Sequence, residues 1–111
     1  MKLGELTKIW ECSKSDPPDD DTTIIARIGK RDRIGKVVET RNVPEITNLK
    51  NYICIKPIDK NRLLPKYLYY AMQYVHMQGY WQRVGTPMTG DKWQIRVKDV
   101  KGVQVQETGT Y

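Results

Sequence analysis

Thr22-Thr23-Ile24-Ile25-Ala26-Arg27-Ile28 is the most strand-like stretch of this 111-residue chain, β-branched and almost continuously apolar. Gly29 is read as its end. The connection Lys30-Arg31-Asp32-Arg33 then leads into a second extended piece, Ile34-Gly35-Lys36-Val37-Val38-Glu39, so the two predict a hairpin with a basic tip. Between Arg27 and Lys36 stand five cations and one acid. Working outward, Asn51-Tyr52-Ile53-Cys54-Ile55-Lys56 reads as a buried strand stopped by Pro57. Residues 41–51, with Pro44 and three Asn, read as a loop with a short strand around Glu45-Ile46-Thr47.

Pro65 suits a first helical position, where its missing N–H is no loss, and no breaker follows until Gly79. A helix over about 65–78 is therefore predicted. Leu64, Leu68, Ala71 and Val75 recur on one face as the core side, whereas Lys66, Tyr69, Gln73 and His76 recur on another. Beyond it lie a glycine-bounded loop over 85–90, a short extended piece over 93–97, a turn over 99–102 and an alternating closing strand over 103–106. An opening strand over about 3–10 completes the set. Residues 13–21, with consecutive prolines and clustered acids, read as a flexible acidic loop, and 107–111 as a tail. The whole, 1–111, is one domain.

The hydrophobic share is 39% and the mean hydropathy -0.65, and no apolar run approaches the roughly 20 residues that span a bilayer. The start, Met1-Lys2-Leu3-Gly4-Glu5, has no signal-peptide character, so a cytoplasmic protein without a membrane partner is expected. Two cysteines are too few for a disulfide framework or a cysteine-rich metal site, and Cys54 reads as a small buried residue. A single histidine, His76, excludes a His-rich metal centre, and no nucleophile elbow accompanies it. No metal and no cofactor is expected.

The net charge of +6 is unevenly spread: residues 1–21 carry -3 and the remaining 90 carry +9. A basic body of this kind suits a polyanionic partner. The candidate DNA contacts are Arg27, Lys30, Arg31, Arg33 and Lys36 on the hairpin, Arg41 and Lys50 beside the polar loop, and Lys92 and Arg96 around Trp93. Arg27, inside an apolar strand, fits either a DNA contact or a structural arginine that satisfies carbonyls or an acid.

The same order of elements resembles a target recognition domain of a type I restriction-modification specificity subunit. The likeness rests on TTIIARIGK (22–30), Gly35 to Val38, NYICIKP (51–57), LPKYLYYAM (64–72), Gly85-Thr86 and residues 95–105, with Lys2-Leu3-Gly4-Glu5-Leu6 as the opening strand. It spans about residues 22–106. It implies an α+β fold: a mixed, mostly antiparallel twisted sheet with one main helix. It also implies a non-catalytic module that reads one half of a split duplex DNA target, while a separate subunit methylates. A DNA methyltransferase subunit or a second copy of the chain are the implied protein partners. The chain departs from the family in having one such domain, no long helix and no proline-rich exit after the last strand.

The alternative is a protein-interaction adaptor or decoy acting on restriction-modification subunits or another protein through the tyrosine-bearing helix, with Tyr69, Gln73, His76 and Tyr80 as the interface. A metal nuclease built on Asp19-Asp20-Asp21 or Glu39 fits poorly, because those acids lie in a proline-bounded loop or lack a neighbouring acid-x-Lys pattern. A methyltransferase lacks its glycine-rich cofactor loop.

Overall fold

Strand β4 (Tyr52–Pro57) alternates its side chains between two apolar environments, which explains why Ile53-Cys54-Ile55 is apolar without a break. It is the centre of a three-stranded antiparallel sheet, flanked by β1 (Thr7–Glu11) and β2 (Thr23–Ala26). The register sets Trp10, Cys54 and Ile24 in one row, and Glu11, Ile53 and Ile25 in the next. Ile25, Ile53 and Ile55 face the larger core, with Leu68, Met72 and Trp81. Trp10, Cys12, Ile24 and Cys54 form a smaller cluster on the opposite face. The computed structural model describes residues 1–14, 17–38 and 49–105.

The larger core is roofed by helices. α1 (Leu3–Leu6) buries both its leucines, and the buried Thr7 hydroxyl donates to the Leu3 carbonyl at 2.7 Å, satisfying a carbonyl at the helix end. α2 (Pro65–Met77) begins on Pro65 as the sequence predicts and ends short of Gly79. α3 (Tyr80–Val84) carries the fully buried Trp81, and α4 (Val97–Lys101) buries Val100. A second antiparallel sheet, β3-β6-β5, joins β3 (Ile28–Lys30), β6 (Lys92–Gln94) and β5 (Thr86–Pro87). The architecture is α+β with one main helix, and every strand pairing among the described residues is antiparallel.

Several expectations need correction. The opening strand over 3–10 is a one-turn helix followed by β1, because Leu3 and Leu6 both need the core and three-residue spacing delivers them to it. The strand over 22–28 is two strands. Arg27 breaks it: its N–H donates to the Asn51 carbonyl at 2.7 Å, and its carbonyl accepts from Ile95 at 3.0 Å. One chain thereby passes from the first sheet to the second, and Gly29 lies inside β3 instead of ending a strand. Over its described residues, 34–38, the return keeps hairpin bonds (Ala26 N–H to Lys36 O, 3.0 Å; Val38 N–H to Ile24 O, 2.8 Å) but amounts to a single bridge, Ile25 to Val37. Residues 99–101 of the expected turn belong to α4, with Gly102 as its C-cap, and over its described residues, 103–105, the closing strand is one bridge, Lys2 to Gln104. Around that bridge, Leu3 donates to Val103 at 2.7 Å and Val105 to Met1 at 2.9 Å. The short strand around Glu45 and the tail lie outside the described residues.

Two cysteines are too few for a disulfide framework, yet they form a single bond, Cys12 to Cys54. Cys12 follows β1 on the strand edge next to Cys54, and their Cα atoms are 5.4 Å apart, inside the range a disulfide spans. Burial of Cys54 stands as expected.

Candidate nucleic-acid interface

The basic turn and the late basic-aromatic segment, 62 positions apart in sequence, are neighbours in space. β3 pairs with β6 so that Lys30 lies directly opposite Lys92, and Gly29 opposite Trp93. Arg31 continues from β3 and lays its guanidinium over the Trp93 ring at 4.9 Å from the centroid. An Arg31 terminal nitrogen also donates to the Gln82 carbonyl of α3 at 3.3 Å. Arg33 sits in the same turn, its N–H donating to the Lys30 carbonyl at 2.8 Å. Lys30, Arg31, Arg33 and Lys92 are all exposed.

This turn is a pinned one. Ile34 is fully buried in the larger core, and Gly35 backs onto the Trp81 ring. His76 Nε2 lies 3.0 Å from the Asp32 carbonyl, which can only accept, so the imidazole proton sits on Nε2. Three elements, α2, α3 and β6, thus hold the turn that carries the cations.

The other candidates are placed differently. Arg27 donates Nε to the Lys50 carbonyl at 2.9 Å and lies 3.4 Å from the Glu11 carboxylate, its side chain mostly buried, so both structural contacts weighed for it are present. Arg96 faces Asp99 across the first turn of α4 at 3.7 Å, where the Asp99 carboxylate also accepts the Arg96 backbone N–H at 2.8 Å. Lys36 and Lys50 are exposed. Arg41 lies outside the described residues. Among the described residues none of Lys30, Arg33, Lys36 and Lys92 has a carboxylate partner.

The acids are engaged elsewhere. Asp19 bonds to Lys56, and Asp21 pairs with Lys60 at 2.7 Å, so the acidic loop is tied to the β4 end of the molecule. The Lys56 hydrogen bond, with help from Thr22, holds the Asp19 carboxyl below its ordinary range. Lys14 does the same for Glu11 at 2.6 Å, against partial burial and with help from Arg27. Depressed folded-state values mean stability that is present above the ordinary carboxylate range and lost as pH falls through the folded values. We therefore expect the urea midpoint to fall between pH 5 and about pH 3, and Asp19→Asn to flatten part of that fall. An unchanged pH profile in the variant counts against the Asp19–Lys56 contact.

The interface stripe expected on α2 faces its own domain. Tyr69 and Tyr80 pack against the larger core, Gln73 is half-buried, and His76 holds the basic turn. The face presented to solvent is offset: Tyr70, Tyr74 and Met77 are exposed, with Tyr67 at its start. Leu64, assigned to the core by its spacing, is exposed as well, because it precedes the helix as its N-cap. Met72 takes the buried place instead.

Two antiparallel sheets, a main helix across one face and a pinned basic turn make up a small α+β domain whose fold matches part of a restriction-modification specificity subunit. The likeness is to the S subunit of the type I restriction-modification system from M. genitalium, with a TM-score of 0.58 over 93% of this chain at 13% sequence identity. The chain spans about a third of that subunit's length, 32%. No protein-family model and no curated protein matches it. Among the described residues no helix is long and apolar enough to cross a membrane.

Proposed function

We propose that this domain is a non-catalytic DNA-recognition module that binds duplex DNA through the pinned turn and β6. One observation carries the reading: Lys30 and Lys92 stand directly opposite each other across two strands, with Arg31 stacked on the adjoining Trp93. Like charges so placed destabilise a sheet in the free protein, and a polyanion seated on them relieves that repulsion and releases its own counterions. The two lysines and Arg33 are suited to phosphates. Arg31, with a planar fork, suits a guanine edge. The likeness to a specificity subunit supports the same role, and extends it to partnership with a DNA methyltransferase subunit. A DNA-reading role goes with the cytoplasm. Carboxylates already bound to Lys56 and Lys60 are poorly placed to hold a catalytic metal, which favours a module without enzymatic activity.

The test is selection from a random-sequence duplex library followed by titration against salt. The expected result is an enriched short motif and a steep salt slope. Lys30→Ala/Lys92→Ala should lower that slope by about 2 and weaken binding to all sequences alike. Absence of binding at low salt overturns the reading, and a steep slope without enrichment reduces it to phosphate contact alone.

A further inference from the structure

The exposed residues of α2 follow a rule of their own. Tyr67, Tyr70, Tyr74 and Met77 are spaced 3, 4 and 3, the repeat by which one helix presents a seam to another. They are 37%, 54%, 62% and 78% exposed, although neighbouring turns of the same helix bury Leu68 and Met72 completely. Beside the ridge runs an apolar groove of about 560 Å³, bordered by Met1, Tyr67, Tyr70, Tyr74, Val75 and Val105. At the roughly 150–250 Å² that an aromatic side chain offers, the exposed fractions of the three tyrosines leave about 300 Å² uncovered. That lies within the range of the largest patch a monomer leaves in water, one that is often functional, and the exposed Met77, Met1 and Leu64 extend it toward one partner's share of a stable interface, about 800 Å².

We propose that this face pairs with the same face of a second copy, α2 against α2 in antiparallel orientation. Three features favour a copy over another occupant. A two-fold contact uses one patch twice, so the patch must contain both a ridge and the groove that receives it; here they adjoin. The chain carries +6, which opposes association of copies, yet α2 contains only Lys66 as a full charge and no acid. The seam is thus the place where two copies meet with least repulsion. Finally, a helical seam asks for a helix, and α2 is the only one longer than five residues among those described. Antiparallel pairing centred on residue 72 sets Tyr70 of one copy against Tyr74 of the other, and Tyr67 against Met77. This proposal is independent of DNA reading, since none of its residues belongs to the basic turn.

Sedimentation equilibrium of the full chain from micromolar to near-millimolar concentration tests it. The wild type should pass from 13.0 kDa to twice that mass. Tyr70→Glu and Tyr74→Lys, each on an exposed position, should weaken self-association by at least about tenfold while leaving the melting transition in place. An equimolar mixture of the two variants should recover the dimer, because Glu at 70 then faces Lys at 74 of the other copy. A wild type that stays monomeric throughout gives the face to a different protein and overturns the proposal. Dimers that survive in the single variants, or a mixture that stays monomeric, overturn it equally.

Discussion

Gly35→Ala is expected to destabilise the domain by about 2–5 kcal/mol, more than any single change at the surface. Gly35 has φ +77°, and a Cβ there would stand 1.9 Å from Cδ1 and 2.1 Å from Nε1 of Trp81. The left-handed backbone costs an L-residue about 1–2 kcal/mol. Pushing a methyl into a buried indole adds a further 1–3 kcal/mol or so. Trp81 cannot easily yield, since it is fully buried among the larger core. Gly90→Ala is the matched control: its φ is +70°, but nothing lies within 4 Å of the added carbon. It should cost only the backbone share. Urea unfolding followed by tryptophan fluorescence measures both. Equal losses in the two variants refute the close packing of the turn on Trp81. Because the same turn carries Arg31 and Arg33, the Gly35 variant should also bind DNA more weakly under conditions in which it remains folded.

Removing the Cys12–Cys54 bond is expected to cost a similar amount, about 4 kcal/mol on chain-entropy grounds for a closed loop of this length, the cysteines being 42 positions apart. The loop contains β2, β3 and the basic turn, so opening it loosens the part of the chain that presents the cations. Both sulfurs are buried, at the centre of the smaller apolar cluster, and serine at either position would add an unpaired hydroxyl. Alanine is therefore the cleaner replacement. Denaturant midpoints of the wild type with and without reductant, beside Cys12→Ala/Cys54→Ala, give the size of the effect. An intact mass that does not rise by two hydrogens on reduction removes the premise. In a reducing compartment the same positions hold thiols and the domain works with a smaller margin.

What could be read from the sequence was whatever a single element decides for itself. Pro65 and the unbroken run to Gln78 specify α2, and Ile53-Cys54-Ile55 specifies a strand covered on both faces. Elements shorter than two helical turns leave no period, so Leu3–Leu6 reads as strand, Tyr80–Val84 receives no element, and Val97–Lys101 reads as the end of an extended piece and a turn. Arg27 shows a second kind of limit. Its apolar neighbours suggest continuity, while its backbone is claimed by Asn51 and Ile95, residues of distant segments. At the candidate site the cations were legible by type and local spacing. That Lys30 faces Lys92, that Arg31 rests on Trp93 and that His76 braces Asp32 were not, because each depends on pairings across more than 40 positions. The α2 stripe shifted by one residue for a simple reason: tyrosine suits a half-buried place and an exposed one alike, so its position on the helix says little until the core is known.

The antiparallel bonds that tie Leu3 to Val103 and Val105 to Met1 have a topological consequence. Residues 1 and 105 lie side by side, so any chain that leads into the domain and any chain that leads out of it pass through one point on the surface. Such a body is a cassette. It can be exchanged between hosts by recombination at a single doorway, or have its ends joined and be reopened elsewhere, without either change crossing its core.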